Sequence, residues 1–158
     1  MINKYMPHLL VLPEDDANRQ LATGFELAVQ HGRRIQVLPE AGGWSAVLER
    51  FLSEHVSAMR KYHERRMVLL LDFDEQDNRP DQIKARIPND LKDRVFILGV
   101  QSEPEAMKRA GLGSLEDIGS RLATVCREGK REIWAHDLLR INVSELDRLQ
   151  QIVRGFLF

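Results

Sequence analysis

An unbroken apolar run, Met67–Leu71 (MVLLL), ends abruptly at Asp72-Phe73-Asp74-Glu75. The run is too short for a helix and too uniformly apolar for a strand with one wet face. It reads as a strand buried on both sides, the kind found in parallel sheets covered by helices. Three more short runs fit the same description. His8–Leu12 (HLLVL) closes on Pro13 and three acids. Ile35–Leu38 (IQVL) leads into Pro39-Glu40-Ala41-Gly42-Gly43, and Val95–Val100 (VFILGV) into Gln101-Ser102-Glu103-Pro104-Glu105.

Between these runs the apolar spacing turns helical. Ala17, Leu21, Ala22, Phe25, Ala28 and Val29 predict a helix over residues 16–31. Asp15 or Asp16 is its N-cap and Gly32 its stop. Trp44, Val47, Leu48, Phe51, Leu52, Val56 and Met59 mark a long amphipathic helix, with Trp44 expected to anchor it in the core and base stacking as the lesser alternative. A short helix fits 80–86, before a Pro88-Asn89 turn. Helices follow over 103–110 and 114–128, the second opened by Ser114 and Asp117 in the manner of a capping box. The last helix is expected over 136–154, with Asn142-Val143-Ser144 as its weak point. Alternation of strand and helix predicts an α/β fold: a Rossmann-like parallel sheet of about four strands, helices on both faces, and C-terminal helices.

The 158 residues suit one domain, long enough to bury roughly two-thirds of its unfolded surface. Hydrophobic residues make up 43% and charged residues 30%, which excludes a disordered chain. No apolar run approaches the ~20 residues of a spanning helix, so no membrane partner is expected. The N-terminus lacks the apolar stretch and cleavage site of a signal peptide. Lone Cys126 allows neither an intrachain disulfide nor a thiolate zinc cluster. Together these predict a cytoplasmic protein. The formal net charge of -1 excludes a general polyanion binder. Any contact with nucleic acid must come from a local patch or a bound metal.

In a parallel sheet, ligands bind beyond the carboxyl ends of the strands. Three acidic clusters fall there: Glu14-Asp15-Asp16, Asp72-Phe73-Asp74-Glu75, and Glu103 with Glu105. Carboxylates crowded in a crevice repel one another, and a hard divalent cation relieves that repulsion. If Asp72 ends its strand, the chain then turns, so both Asp72 and Asp74 can face the crevice while Phe73 packs inward. The alternative is that these acids cap helices and solvate strand ends.

The order strand–Glu–helix, strand–Gly-rich turn–helix, apolar strand–Asp-x-Asp resembles the Toprim domain. That domain occurs in DnaG-type primases, type IA and II topoisomerases, recombination-repair proteins and OLD-family nucleases. The resemblance covers about residues 7–110, leaving 111–158 as a C-terminal helical extension of a single domain. It implies a magnesium site, with manganese as substitute, held by Glu14, Asp72 and Asp74. Those three would be the catalytic residues. It also implies a further acid after the fourth strand, matched by Glu105 or, second to it, Glu103. Gly42 and Gly43 match the Gly-rich turn. Asp15 stands where many Toprim sequences have Gly, and the Lys often found near the Glu in nuclease-like members is absent. Arg19 is the nearest cation.

The implied activity is metal-dependent phosphodiester chemistry on DNA or RNA, as a nuclease or nuclease subunit. Arg19, Arg79 and Lys84, with the Gly42-Gly43 turn, are the candidate substrate-binding residues. Tyr5 and Tyr62, the two tyrosines, are poor candidates for a covalent nucleophile, which argues against a topoisomerase. A Toprim-like module without catalysis, serving as a subunit beside an ATPase or another protein, is the alternative. A haloacid-dehalogenase-like phosphatase also uses Asp-x-Asp, but after the first strand of the fold. Here the motif comes third, and Gln76 replaces the expected Thr or Val.

Overall fold

The computed structural model describes residues 2–158. β1 (His8–Pro13), β2 (Ile35–Val37), β3 (Arg65–Asp72) and β4 (Val95–Val100) form one sheet in the order β2-β1-β3-β4. All three pairings are parallel, as the apolar runs predict. The chain leaves β1 toward β2 and then crosses to the other side of β1 to form β3. The carboxyl ends of β1 and β3 therefore flank the point where the strand order reverses. Crevices for ligands open at such points.

Helices cover both faces. α1 (Asp16–Ala28) is followed by the helical stretch α2 (Trp44–Arg50), a π turn (Phe51–His55) and α3 (Val56–Lys61), and then by α4 (Arg79–Lys84). α5 (Pro104–Arg109), α6 (Leu115–Glu128) and α7 (Val143–Leu157) complete the chain. Leu9, Val11, Val68, Phe96 and Leu98 face a core shared with α1, α6 and α7. Leu10, Leu12, Met67, Leu69 and Ile97 face a second core shared with α2, α3 and α4. The two sets alternate along the strands, as side chains on a pleated sheet must. α1 and α6 cross so closely that a Cβ on Gly24 would lie 2.1 Å from the Glu116 carbonyl oxygen, and one on Gly119 2.0 Å from that of Leu21.

Two helix boundaries differ from the pattern reading. α1 ends at Ala28, short of Gly32, because the amides of Gln30 and His31 both donate to the Leu157 carbonyl. The final helix starts at Val143, after short 3-10 turns at Ile133–Ala135 and Arg140–Asn142. The reason lies in the edge strand. Asn142 is buried and pairs with Gly99 as a neighbouring strand would. Its Oδ1 accepts from the Gly99 amide at 2.9 Å, and its Nδ2 donates to the Gly99 carbonyl at 2.7 Å. Glu145 Oε2 accepts from the Ile97 amide at 2.9 Å, and the Leu138 carbonyl accepts from Gln101 N at 2.8 Å. The tail thus satisfies an edge that would otherwise invite pairing with another chain. Among the described residues no helix is long and apolar enough to cross a membrane.

Candidate functional site

β1 and β3 run in register up to Pro13 and Leu70, and Glu14 N continues the ladder to the Leu70 carbonyl at 2.9 Å. This brings the next side chains, Glu14 and Asp72, together at the reversal point. Glu14 Oε2 accepts from the Asp72 amide at 2.7 Å. Both residues are buried, at 9% and 8% exposure. Burial pushes the Glu14 carboxyl above its usual value, and the charges of Asp15 and Asp74 push the same way. Asp72 is raised to about 8, first by burial and then by the neighbouring charges of Asp15 and Glu14.

Asn18, on the first turn of α1, ties the acids together. It is fully buried. Its Nδ2 donates to Asp72 Oδ1 at 2.9 Å and to Asp15 Oδ1 at 3.0 Å. Its Oδ1 is buried with no partner. Asp15 Oδ1 also accepts from the Asn18 amide at 2.9 Å, the N-cap bond of α1. The sequence reading provides the cap but misses Asn18 as a site residue. The clue was a polar residue set among the apolar positions of an amphipathic helix.

The Asp-x-Asp motif divides. Phe73 packs into the second core, as expected. Asp74 and Glu75 follow in left-handed conformations, with φ of 48° and 60°. Two such residues in succession are uncommon outside glycine, and such strain gathers at functional sites. The turn leaves the Asp74 side chain exposed and paired with Arg79 Nη1 at 2.6 Å. The same Nη1 reaches the Asp72 carbonyl at 3.2 Å, and the guanidinium sits 5.0 Å from the centre of the Trp44 ring.

The Gly-rich turn adjoins the acids directly. Gly42 N and Gly43 N donate to the Glu14 carbonyl at 2.8 and 3.3 Å, and the two glycines have φ of 97° and 144°. Trp44 is not the core anchor expected of it. It is 36% exposed and belongs to neither core, because the turn delivers it at the mouth of the crevice.

The other expected site residues lie further out. Glu105 shares a surface cavity of about 290 Å³ with Asp15, Asp16, Gln20 and Lys108, beside the Glu14–Asp72 link and not within it. Glu103 pairs with Arg109 at 2.7 Å. Arg19 pairs with Asp16 and, at 3.1 Å, with Glu40. Lys84, expected to meet phosphate, bonds Glu145 Oε1 at 2.6 Å and neutralises that buried carboxylate. Among the described residues no group of three or more His, Cys, Asp or Glu side chains is placed to hold a metal ion, so Glu14, Asp72 and Asp74 do not converge as one three-carboxylate site.

The sequence matches no known family model, no curated protein and no solved structure. What stands is an α/β fold with a four-stranded parallel sheet and two buried acids at its reversal point.

Proposed function

We propose that the chain is a Toprim-like, metal-dependent phosphodiesterase acting on nucleic acid, as a nuclease or the nuclease subunit of a larger assembly. The observation that carries this reading is the buried Glu14–Asp72 pair at the reversal point, linked at 2.7 Å. Two buried acids held together are costly when ionised. A hard divalent cation offsets that cost, and the residues present suit one. The donors are carboxylate oxygens, magnesium needs only one to three of them, and Asn18 Oδ1 is a buried acceptor without a partner.

Glu14 and Asp72 would hold magnesium or manganese, with Asp74 beside them and Glu105 at the rim. The ion, when bound, supplies Lewis-acid stabilisation of phosphate oxygens. The chain's own groups do the rest. Glu14, with its raised pKa, suits proton transfer as general acid or base. Asn18 orients the Asp72 carboxyl. Gly42 and Gly43 hold the carbonyl of Glu14 and so fix the level of its side chain. Arg79, anchored on Asp72 and Trp44, offers a guanidinium to a phosphate.

Two observations favour the second reading, a non-catalytic module beside an ATPase or other partner. Asp74 is already engaged by Arg79, and Asp15 crowds the position that Gly fills in many Toprim sequences.

The test is cleavage of a panel of labelled DNA and RNA by the purified protein with manganese. The parent is expected to cleave, and Glu14→Gln to lower the rate by ~10²–10⁴ with an unchanged circular dichroism spectrum. Asp72→Asn should also lose activity, and excess manganese should partly restore it but not that of Glu14→Gln. No cleavage by the parent would overturn the nuclease reading in favour of the module.

A further inference from the structure

We infer that Trp44 is a stacking platform for an unpaired nucleobase, so that the Glu14–Asp72 site takes single-stranded nucleic acid. This rests on the phosphodiester reading above and narrows its substrate. The starting observation is an indole that belongs to neither core. Trp134, the other tryptophan, is 5% exposed and packed in the first core. Trp44 is 36% exposed and packs in neither core. A large exposed aromatic is an informative departure from ordinary burial.

Its position is fixed relative to the acids from two sides. The two residues before it donate their amides to the Glu14 carbonyl, at 2.8 and 3.3 Å. Arg79 lies over the ring at 5.0 Å while bonding the Asp72 carbonyl and Asp74 Oδ2. Ring, guanidinium and carboxylates therefore form one continuous series across the mouth of the crevice. An indole beside a guanidinium matches one nucleotide unit, a base for the ring and a phosphate for the cation. The next phosphate along the strand would then lie toward Glu14 and Asp72. In a duplex the base faces are stacked on one another, so only an unpaired base can lie on the indole. Stacking on aromatic side chains tolerates any base, which predicts selectivity for strandedness and not for sequence.

The experiment is a fluorescence-anisotropy titration of dye-labelled oligothymidylate, oligouridylate and a blunt DNA duplex with the full chain, in EDTA and again with calcium. The deoxy and ribo strands separate DNA from RNA as the source of the base. Single strands should bind at lower protein concentration than the duplex, and in the parent they should also quench Trp44 emission, since buried Trp134 is shielded. Trp44→Leu should weaken single-strand binding by about 5- to 150-fold, the equivalent of one lost base stack. Trp44→Phe should recover most of it. Circular dichroism of both variants should match the parent, because the ring lies outside both cores. Equal binding by Trp44→Leu and parent, preference for the duplex, or no binding by the parent in either buffer would overturn the proposal. Cleavage that proceeds unchanged in Trp44→Leu would sink the platform and leave the phosphodiesterase reading standing.

Discussion

At the amino ends of the strands arginines predominate, with Glu64 paired to Arg66 at 3.0 Å and Asp90 to Arg60 at 2.9 Å. Buried Arg65 donates Nε to His8 Nε2 at 3.0 Å, and His8 Nδ1 lies 2.8 Å from the Met6 carbonyl. Arg94 reaches the carbonyls of Met59, Tyr62, His63 and Arg65. Lys4, Lys61 and Arg65 surround the Tyr62 ring at 5.2–5.4 Å. Of the buried arginine nitrogens there, Arg66 Nε alone lacks a partner among the described residues. At the carboxyl ends of the same strands the groups are acids, and they are set against one another. Burial and neighbouring carboxylates push Glu14 and Asp72 above their ordinary values, with the Asp15 charge acting on both, and Asn18 is left with an orphan acceptor. A fold with no use for those acids would gain by replacing them, since buried like charges oppose folding. At the amino end the arginines are spent on a histidine, on carbonyls and on an aromatic ring of the fold itself. The crowding of acids is why we propose the carboxyl end as the place where a cation binds.

The contrast can be broken first at the amino end. Arg94→Ala removes a cation from four carbonyls and should cost about 1–3 kcal/mol. In a domain this size that lowers the melting midpoint by about 3–10 °C. Manganese affinity and cleavage below the transition should stay at parent levels. A loss of metal binding in folded Arg94→Ala would mean that the two ends do not divide structure from function.

The second effect belongs to the carboxyl end. Burial, and then the charges of Asp15 and Glu14, push the folded Asp72 carboxyl up to about 8, against 3.8 for the free group. Between those values the native state holds a proton that the unfolded chain has released. Unfolding free energy therefore falls as pH rises. The contribution is complete below the unfolded value and gone above about 8. Glu14 works in the same direction. Buried His8, with its pKa lowered by burial, has the opposite slope, but below its usual 6.5. The metal-free protein in EDTA should thus lose stability between about pH 6.5 and 8. Asp72→Asn should flatten that slope and be the more stable protein at the alkaline end. A parent melting point that rises across this window contradicts the account of crowded acids.

The strands and the acid edge were legible in the sequence because each depends on short-range pattern. A run such as Met67–Leu71 can be buried only one way, and Glu14 and Asp72 follow from where two such runs stop. Phe73 was legible for the same reason. What escaped depends on distant partners. Lys84 looked free until Glu145, required by the Ile97 amide, drew it away from the crevice. Asn142 looked like a helix interruption and is a substitute strand partner for Gly99. Asp74 read as a twin of Asp72, yet a left-handed turn of two non-glycine residues sends it to Arg79. Trp44 matched the apolar phase of its helix, and only the Gly42-Gly43 turn decides that it stands outside both cores.

The central claim is that the carboxyl edge holds a divalent cation on Glu14 and Asp72, and calorimetric titration with manganese tests it most directly. The account predicts binding by the parent, undiminished binding by Arg94→Ala, and a large loss in Asp72→Ala with the fold retained by circular dichroism. Binding by Asp72→Ala equal to that of the parent, or no binding by the parent, would contradict it.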